Sequence, residues 1–127
     1  MDYQQARSYL LDKPDANEDF PFGPDVAVMK IRGKMFATLA LEQGQGRMNL
    51  KCEPQQALML RDMFAAVLPG YHMNKLHWNT IKLDGSIPLG EVQRMIDHSY
   101  ALVVQGLRKS DRLGLLAKYG DSLKLDA

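Results

Sequence analysis

Apolar residues near the start of the chain recur at the spacing of one face of an α-helix. Tyr3, Ala6 and Leu10 carry this pattern, and Pro14 is expected to end the helix at about Lys13. The next stretch, NEDFPFGPD, contains two prolines and one glycine, which interrupt regular structure. We therefore predict a short first helix and then a loop, from which the two phenylalanines turn inward to the core.

Three β-strands are predicted in the following part of the chain. Residues 26–31 and 35–41 are rich in apolar and β-branched residues, and the Arg-Gly-Lys sequence at 32–34 is typical of a hairpin turn between them. The QGQG sequence at 43–46 indicates a second turn. Polar and apolar residues then alternate over 47–52, so one face of the third strand is apolar and the other is basic.

The next elements are a helix and a strand. Pro54 suits the first turn of a helix, and an apolar stripe predicts a helix over 54–68, which Pro69-Gly70 ends. A period of two over 77–83 predicts a strand with Asn79 on the inward side and Trp78 on the outward side.

Two more helices are predicted after this strand, from Pro88 to about Lys109 and from an N-cap at Ser110 to Tyr119. Residues 121–127 are predicted to form a loose tail. This order indicates one α+β domain over residues 1–127, a two-layer fold whose antiparallel sheet is covered by helices on one face. The other face of the sheet is left open.

Composition and charge exclude several classes of protein. The chain has 127 residues, of which 46% are apolar and 24% charged, as is usual for one globular domain. Its net charge of +1 gives no general attraction to nucleic acid or membranes. The distribution is uneven, however, because residues 1–25 carry two basic and six acidic groups and residues 26–83 carry eight basic and three acidic groups.

The sequence shows no set of residues typical of catalysis or metal binding. Cys52 falls on the inward side of a strand, where a thiol is usually inert packing. The three histidines have no zinc-site spacing, and the chain has no phosphate-binding loop or nucleophile elbow. There is no secretory signal pattern and no apolar run of about 18 residues. We expect a cytoplasmic, monomeric, non-enzymatic protein without metal, cofactor or membrane contact.

The stretch from Tyr71 to Lys82 is the most suggestive part of the chain. No acidic residue occurs between Asp62 and Asp84, while this stretch contains two lysines, two histidines, two asparagines and a tryptophan. Lysine contacts phosphate, asparagine reads base edges, and an exposed aromatic ring stacks on unpaired bases. The alternative is structural: the tryptophan anchors the sheet to a helix and the polar residues cap the loop. Under the nucleic-acid hypothesis, the predicted binding residues of this stretch are Asn74, Lys75, His77, Trp78, Asn79 and Lys82.

Four sequence blocks resemble the MmcQ/YjbR family of small bacterial proteins. They are FPFGPDVAVMKIRGKMFATL, LKCEP, YHMNKLHWNTIKLDGSIPLGEV and MIDHSYALVVQGL. The resemblance covers roughly residues 3 to 110 and implies an α-β-β-β-α-β-β-α architecture with a double-wing fold, similar to frataxin (CyaY-like) and to secretion chaperones. This agrees with the predicted elements if a short fifth strand lies near Tyr71.

The resemblance further implies a DNA-binding protein, and the lack of a catalytic set of residues predicts that it is not an enzyme. The open sheet face would then supply phosphate contacts, because Lys30 and Arg32 share a parity that places them on the same outer face as the basic residues of the third strand. The predicted phosphate-contacting residues are Lys30, Arg32, Lys34, Arg47 and Lys51.

Two alternatives to nucleic-acid binding follow from the same resemblance. The first is a protein- or peptide-interaction module that uses the open sheet face around Trp78. The second is a small-molecule or metal binder that uses the N-terminal acids Asp12, Asp15, Glu18, Asp19 and Asp25, although these lack the spacing of a calcium loop.

Overall fold

The computed structural model describes residues 1–71 and 73–123, apart from the side chain of Asp121. These residues contain four α-helices and six β-strands. In chain order they are α1 (Tyr3–Leu11), β1 (Ala16–Asp19), β2 (Val26–Ile31), β3 (Lys34–Glu42), β4 (Gln45–Lys51), α2 (Pro54–Met63), β5 (Val67–Pro69), β6 (Trp78–Leu83), α3 (Leu89–Gln105) and α4 (Lys109–Tyr119).

All strand pairs are antiparallel, and the strand order in the sheet is β1-β2-β3-β4-β6-β5. The first four strands form a meander, since each pairs with the next one along the chain. Helix α2 and strand β5 then intervene before β6 returns to pair with β4. The predicted α+β class, with an antiparallel sheet and helices on one face, is confirmed.

Two tight hairpin turns set the register of the meander. Arg32 and Gly33 join β2 to β3 with φ values of +50° and +81°, and Gln43 and Gly44 join β3 to β4 with +52° and +79°. Positive φ at both central residues is typical of type I′ turns, whose twist matches that of the paired strands. Both turns lie where the sequence predicts them.

The helices pack on one face of the sheet, which we call the inner face. Leu10 of α1 and Ile96 of α3 are fully buried there, in one core cluster with the inward residues of the strands. A bulge between Met29 and Lys30 leaves Phe36 without a partner in β2 and directs it to this core, where its ring meets the ring of Tyr100 edge to face at 5.4 Å. The opposite side of the sheet is the outer face.

The predicted N-terminal loop is wrong in part, because its first three residues belong to the edge strand β1, which pairs with Val28–Ile31. Strand β1 is acidic and short, so it has little of the β-branched or aromatic character from which strands are recognised. Its neighbours Phe20 and Phe22 were expected in the core, but they are 46% and 71% exposed.

The predicted helix over 54–68 ends five residues early, at Met63. Phe64 adopts an extended conformation, and Val67 and Leu68 pair with Ile81 and Thr80 as strand β5. This is the short additional strand that the family resemblance implies, and pairing with β6 overrides the helical pattern of the sequence.

The C-terminal prediction also needs correction. Residues Gly120–Leu123 form a 3₁₀ turn rather than a loose tail, and Leu123 is buried against the core. Residues 124–127 lie outside the described part of the chain. Helix α4 begins at Lys109 with Arg108 as its N-cap, so Ser110 lies in the first turn instead of capping it.

Candidate functional site

A hydrogen-bonded row of polar side chains crosses the centre of the outer face. Thr38, Asn49 and Thr80 are register partners on β3, β4 and β6. The Asn49 amide donates to Thr38 Oγ1 at 2.9 Å, and Thr80 Oγ1 donates to Asn49 Oδ1 at 2.6 Å. Asn49 thus uses its carbonyl oxygen and one of its amide N–H groups within the row.

The adjoining row brings two cations face to face. Arg47 of β4 is the direct register partner of Lys82 of β6, and both side chains lie on the outer face. Together with Glu42, Gln43 and Gln45 they line an open hollow of about 510 Å³. Like charges directly opposite each other on neighbouring strands destabilise a sheet. Glu42 offsets part of this repulsion, since its Oε2 lies 2.8 Å from Arg47 Nε.

The register places two further predicted cations on the outer face. Lys51 lies opposite Trp78, and Lys30 lies on β2 with its ammonium 2.8 Å from Asp19 Oδ2. Within the described ranges, Lys51 and Lys82 have no ion-pair partner. Four cations and two acids on this face leave a local charge of about +2, which is weaker than the sequence alone suggests.

Arg32 and Lys34 lie at the β2–β3 hairpin. The prediction that Arg32 shares the outer face with Lys30 is wrong, because its Nε lies 2.8 Å from Asp15 and its guanidinium is beside Gly114 of α4. The positive φ of Arg32 takes it out of the strand alternation on which the parity argument rests. Lys34 is exposed at the end of the hairpin.

Trp78 has the predicted orientation but not the exposure that stacking requires. Its side chain lies on the outer side of β6, opposite Lys51, yet only 9% of the residue is exposed. Gly70 approaches it closely, with its N–H donating to the Trp78 carbonyl at 2.9 Å. The ring is therefore packed at this end of the sheet and is not presented to a base. Because it lies on the outer side, it does not anchor the sheet to the helices of the inner face, as the structural alternative expected.

Asn79 lies on the inner face and is 2% exposed. Its Oδ1 accepts from Arg61 Nε at 2.7 Å, and the Arg61 guanidinium also donates to the carbonyl of Lys75. Asn79 thus cannot reach a base edge from the outer face. Arg61 thus connects α2 to the start of β6 and to the segment before it.

The remaining predicted residues belong to the turn before β6. The Asn74 side chain accepts from Leu76 N at 2.9 Å, and the Lys75 ammonium lies 5.1 Å from the centre of the Tyr71 ring. His77 is half-buried, and its carbonyl accepts from Cys52 N at 2.7 Å. Only Lys75 of these three presents an exposed charge. His72 lies outside the described residues.

A second concavity lies on the inner side of the sheet. Helix α2 packs on β5 and β6 while α3 packs on β3 and β4, and a cleft of about 400 Å³ remains between the two helices. Leu50, Leu60, Ile81 and Met95 contribute an apolar lining, and Glu53, Glu91, Arg94 and His98 contribute the charged and titratable groups. No local sequence pattern predicts this cleft, since its residues come from β4, α2, β6 and α3.

Cys52 also lines the cleft, but its thiol is unsuited to nucleophilic chemistry. Burial, together with the negative charge of Glu53, raises its pKa to about 11. The thiol is therefore protonated at neutral pH, and a protonated thiol is a poor nucleophile. The prediction of a packing role agrees with its burial.

Most of the N-terminal acids are held in ion pairs. Glu18 makes two 2.8 Å contacts to Arg7, Asp15 lies 2.8 Å from Arg32, and Asp19 pairs with Lys30. In residues 1–71 and 73–123 no group of three or more metal-binding side chains converges. No helix in these ranges is long and apolar enough to cross a membrane.

Comparison with known proteins agrees with the fold. The YjbR family model matches residues 11–102, from the end of α1 to the last turns of α3. This chain belongs to the YjbR family. YbdF of Escherichia coli O157:H7 is 36% identical over 110 residues, covering 87% of this chain and 90% of that protein. YjbR of Escherichia coli K12 is 30% identical over 112 residues, covering 88% and 95%.

Solved structures of similar proteins show the same YjbR architecture. Protein DR2400 of Deinococcus radiodurans is 33% identical and superimposes with a TM-score of 0.82 over 88% of this chain and 86% of that one. A protein from Pseudomonas syringae is 30% identical, with a TM-score of 0.71 over 80% and 98%. The two Escherichia coli relatives are uncharacterized proteins, so membership in the YjbR family establishes the fold and leaves the activity to be argued from the surface.

Proposed function

We propose that this protein is a non-enzymatic nucleic-acid-binding protein whose outer sheet face contacts the phosphate backbone through Arg47, Lys51 and Lys82. The observation that carries the proposal is the direct cross-strand pairing of Arg47 with Lys82. A like-charged pair at this register weakens the sheet unless an anion lies over it. A phosphate group would relieve the repulsion by accepting hydrogen bonds from both side chains.

The side-chain arrangement favours phosphate contacts over base recognition. Trp78 is buried, so its ring cannot stack on unpaired bases. Asn79 faces the opposite side of the sheet. Phosphate contacts carry affinity and salt dependence but no sequence information. We therefore expect weak binding that is similar for duplexes of different sequence.

Salt-dependent binding of fluorescently labelled duplex DNA tests the proposal. Anisotropy titrations over about 50 to 300 mM salt give the binding constant at each salt concentration. Its logarithm should fall linearly with the logarithm of the salt concentration, by about 0.9 per phosphate contact. Lys82→Gln should weaken binding and lower the slope by about 0.9. Lys109→Gln is the matched control, because Lys109 is an exposed lysine on α4 in the helical layer, and it should change neither quantity.

A gain of affinity gives the sharper test of the same site. Glu42→Gln removes the acid that lies 2.8 Å from Arg47, so the guanidinium becomes free for phosphate, and binding should tighten with a steeper slope. Asp62→Asn makes an equivalent charge change at an exposed position of α2 and should have little effect. Equal gains in the two variants would show only a general charge effect. No binding at the lowest salt concentration would contradict the proposal and leave a protein or peptide partner as the alternative for this face.

A further inference from the structure

The cleft between α2 and α3 has the dimensions and lining of a small-molecule site. Its volume of about 400 Å³ lies within the range of roughly 300–1,000 Å³ that is usual for ligand pockets. Leu50 and Ile81 belong to the sheet, while Leu60 and Met95 contribute from the two helices. An apolar body of one or two rings would be covered on three sides by these residues.

One polar atom in the cleft lacks a partner. His98 Nε2 is buried, and among the described residues it has no hydrogen bond. The nearest acidic group is Glu53 Oε1 at 3.6 Å, which is too far for a hydrogen bond. Buried polar groups are almost always paired, because an unpaired one loses its hydrogen bonds to water without replacement. This nitrogen therefore points to a missing partner in the cleft.

The charges of the cleft favour a cationic partner. Glu53, Glu91 and Arg94 all line the cleft, and Arg94 Nη1 already lies 3.2 Å from Glu91 Oε1. Glu53 has no partner at hydrogen-bond distance within the described chain and is largely exposed at the opening. The Lys51 side chain lies on the outer face, and Arg61 directs its donors to Asn79 and main-chain carbonyls. Glu53 is thus the uncompensated charge.

We propose that this cleft binds a small organic amine, with its ammonium group between Glu53 and His98 and its apolar body on Leu50, Leu60, Ile81 and Met95. An ammonium carries several N–H donors, so one group donates to both Glu53 Oε1 and His98 Nε2, which lie 3.6 Å apart. A carboxylate in the same place would be repelled by Glu53. The site is on the opposite side of the sheet from Arg47 and Lys82, so this proposal does not depend on the proposed function.

Three indole compounds test the chemistry of the head group. Tryptamine carries an ammonium, tryptophol a hydroxyl and indole-3-acetate a carboxylate, while the apolar ring is the same. Titration of ¹⁵N-labelled protein, followed by two-dimensional NMR, should shift the amides of residues that line the cleft. Because hydrogen bonds to charged groups are the stronger ones, we expect tryptamine to bind about tenfold tighter than tryptophol. Indole-3-acetate should bind most weakly.

Two variants and one control connect this binding to the cleft. Glu53→Gln should reduce tryptamine affinity about tenfold and leave tryptophol unchanged, because only the ammonium interacts with that charge. Asp62→Asn removes an acid of α2 that lies outside the cleft and should leave both affinities unchanged. Gln56→Trp, at an exposed position of the lining, should block all three compounds.

The proposal is overturned if indole-3-acetate binds with the same affinity as tryptamine. It is equally overturned if Glu53→Gln reduces the affinities for tryptophol and tryptamine by the same factor. It is also overturned if none of the compounds shifts the amides of Cys52, Gln56 and His98. DNA titrations of the Glu53→Gln variant should match those of the parent protein, which keeps this result separate from the test of the outer face.

Discussion

Ser99 shows how a single polar residue in the core can connect several elements. It lies on the apolar side of α3 with no exposed surface. Its Oγ donates to the Phe36 carbonyl at 2.6 Å and accepts from Lys51 N at 2.9 Å. Phe36 is at the β-bulge and Lys51 at the end of β4, so both main-chain groups occur where the regular ladder is interrupted.

Replacing this serine should lower stability more than its size suggests. Ser99→Ala leaves the Phe36 carbonyl and the Lys51 N–H buried without partners, and we expect a loss of about 2–3 kcal/mol in the free energy of unfolding. Urea denaturation measures the change. Ser110→Ala, at an exposed position of α4, serves as the control and should stay within about 0.5 kcal/mol of the parent.

The junction of α2, β5 and β6 shows how packing at the level of elements corrects local patterns. The sequence pattern predicts a helix to residue 68, but Val67–Pro69 instead pairs with β6 as a strand. Gly70 then closes on Trp78, and a Cβ at this position would come within 2.9 Å of both the Cβ and the carbonyl oxygen of Trp78. Glycine is required here because of this close approach.

Gly70→Ala should therefore destabilise the β5–β6 junction. The clash involves main-chain atoms, so the strands must separate, and we expect a loss of about 1–3 kcal/mol. Gly90→Ala is the control, because no heavy atom lies within 4 Å of the added Cβ in α3, and alanine should stabilise that helix by up to about 1 kcal/mol. Thermal unfolding should thus move in opposite directions for the two variants. A similar loss in both would contradict this account of Gly70.

At the scale of the whole molecule, the uneven charge of the chain becomes a set of contacts between distant segments. The acidic N-terminal segment pairs with the basic block, as in the Asp19–Lys30 and Asp15–Arg32 pairs. These pairs explain why the basic block of the sequence does not become a strongly basic surface. They also make stability depend on pH.

Asp19 gives this dependence a definite direction. The hydrogen bond from Lys30, with a second from the Phe20 N–H, lowers the pKa of its carboxyl below the usual range. A lowered pKa in the folded state adds stability above about pH 4, and this contribution is lost as the pH falls through the lowered value. Urea unfolding at several pH values should show Asp19→Asn less stable than the parent at pH 6, with the two curves converging in acid. A constant difference at every pH would contradict the prediction.

The sequence by itself was enough for the elements that depend on near neighbours. The hairpin turns, the alternation of β4 and the orientation of Trp78 all follow from spacing within a few residues, and the structure confirms them. The long helix α3 is also present, but it ends at Gln105 instead of at about Lys109. The class of fold follows from the order of these elements. Local spacing determines such features because a period of two or of 3.6 decides which side of an element a residue occupies.

Tertiary structure alone decided how exposed those residues are and which charges remain free. Trp78 faces outward but is buried, and Lys30 and Arg32 are neutralised by acids more than ten residues away in the sequence. The cleft exists only because α2 and α3 rest on different pairs of strands. Burial and charge pairing depend on contacts between distant segments, and periodicity along one element carries no information about them.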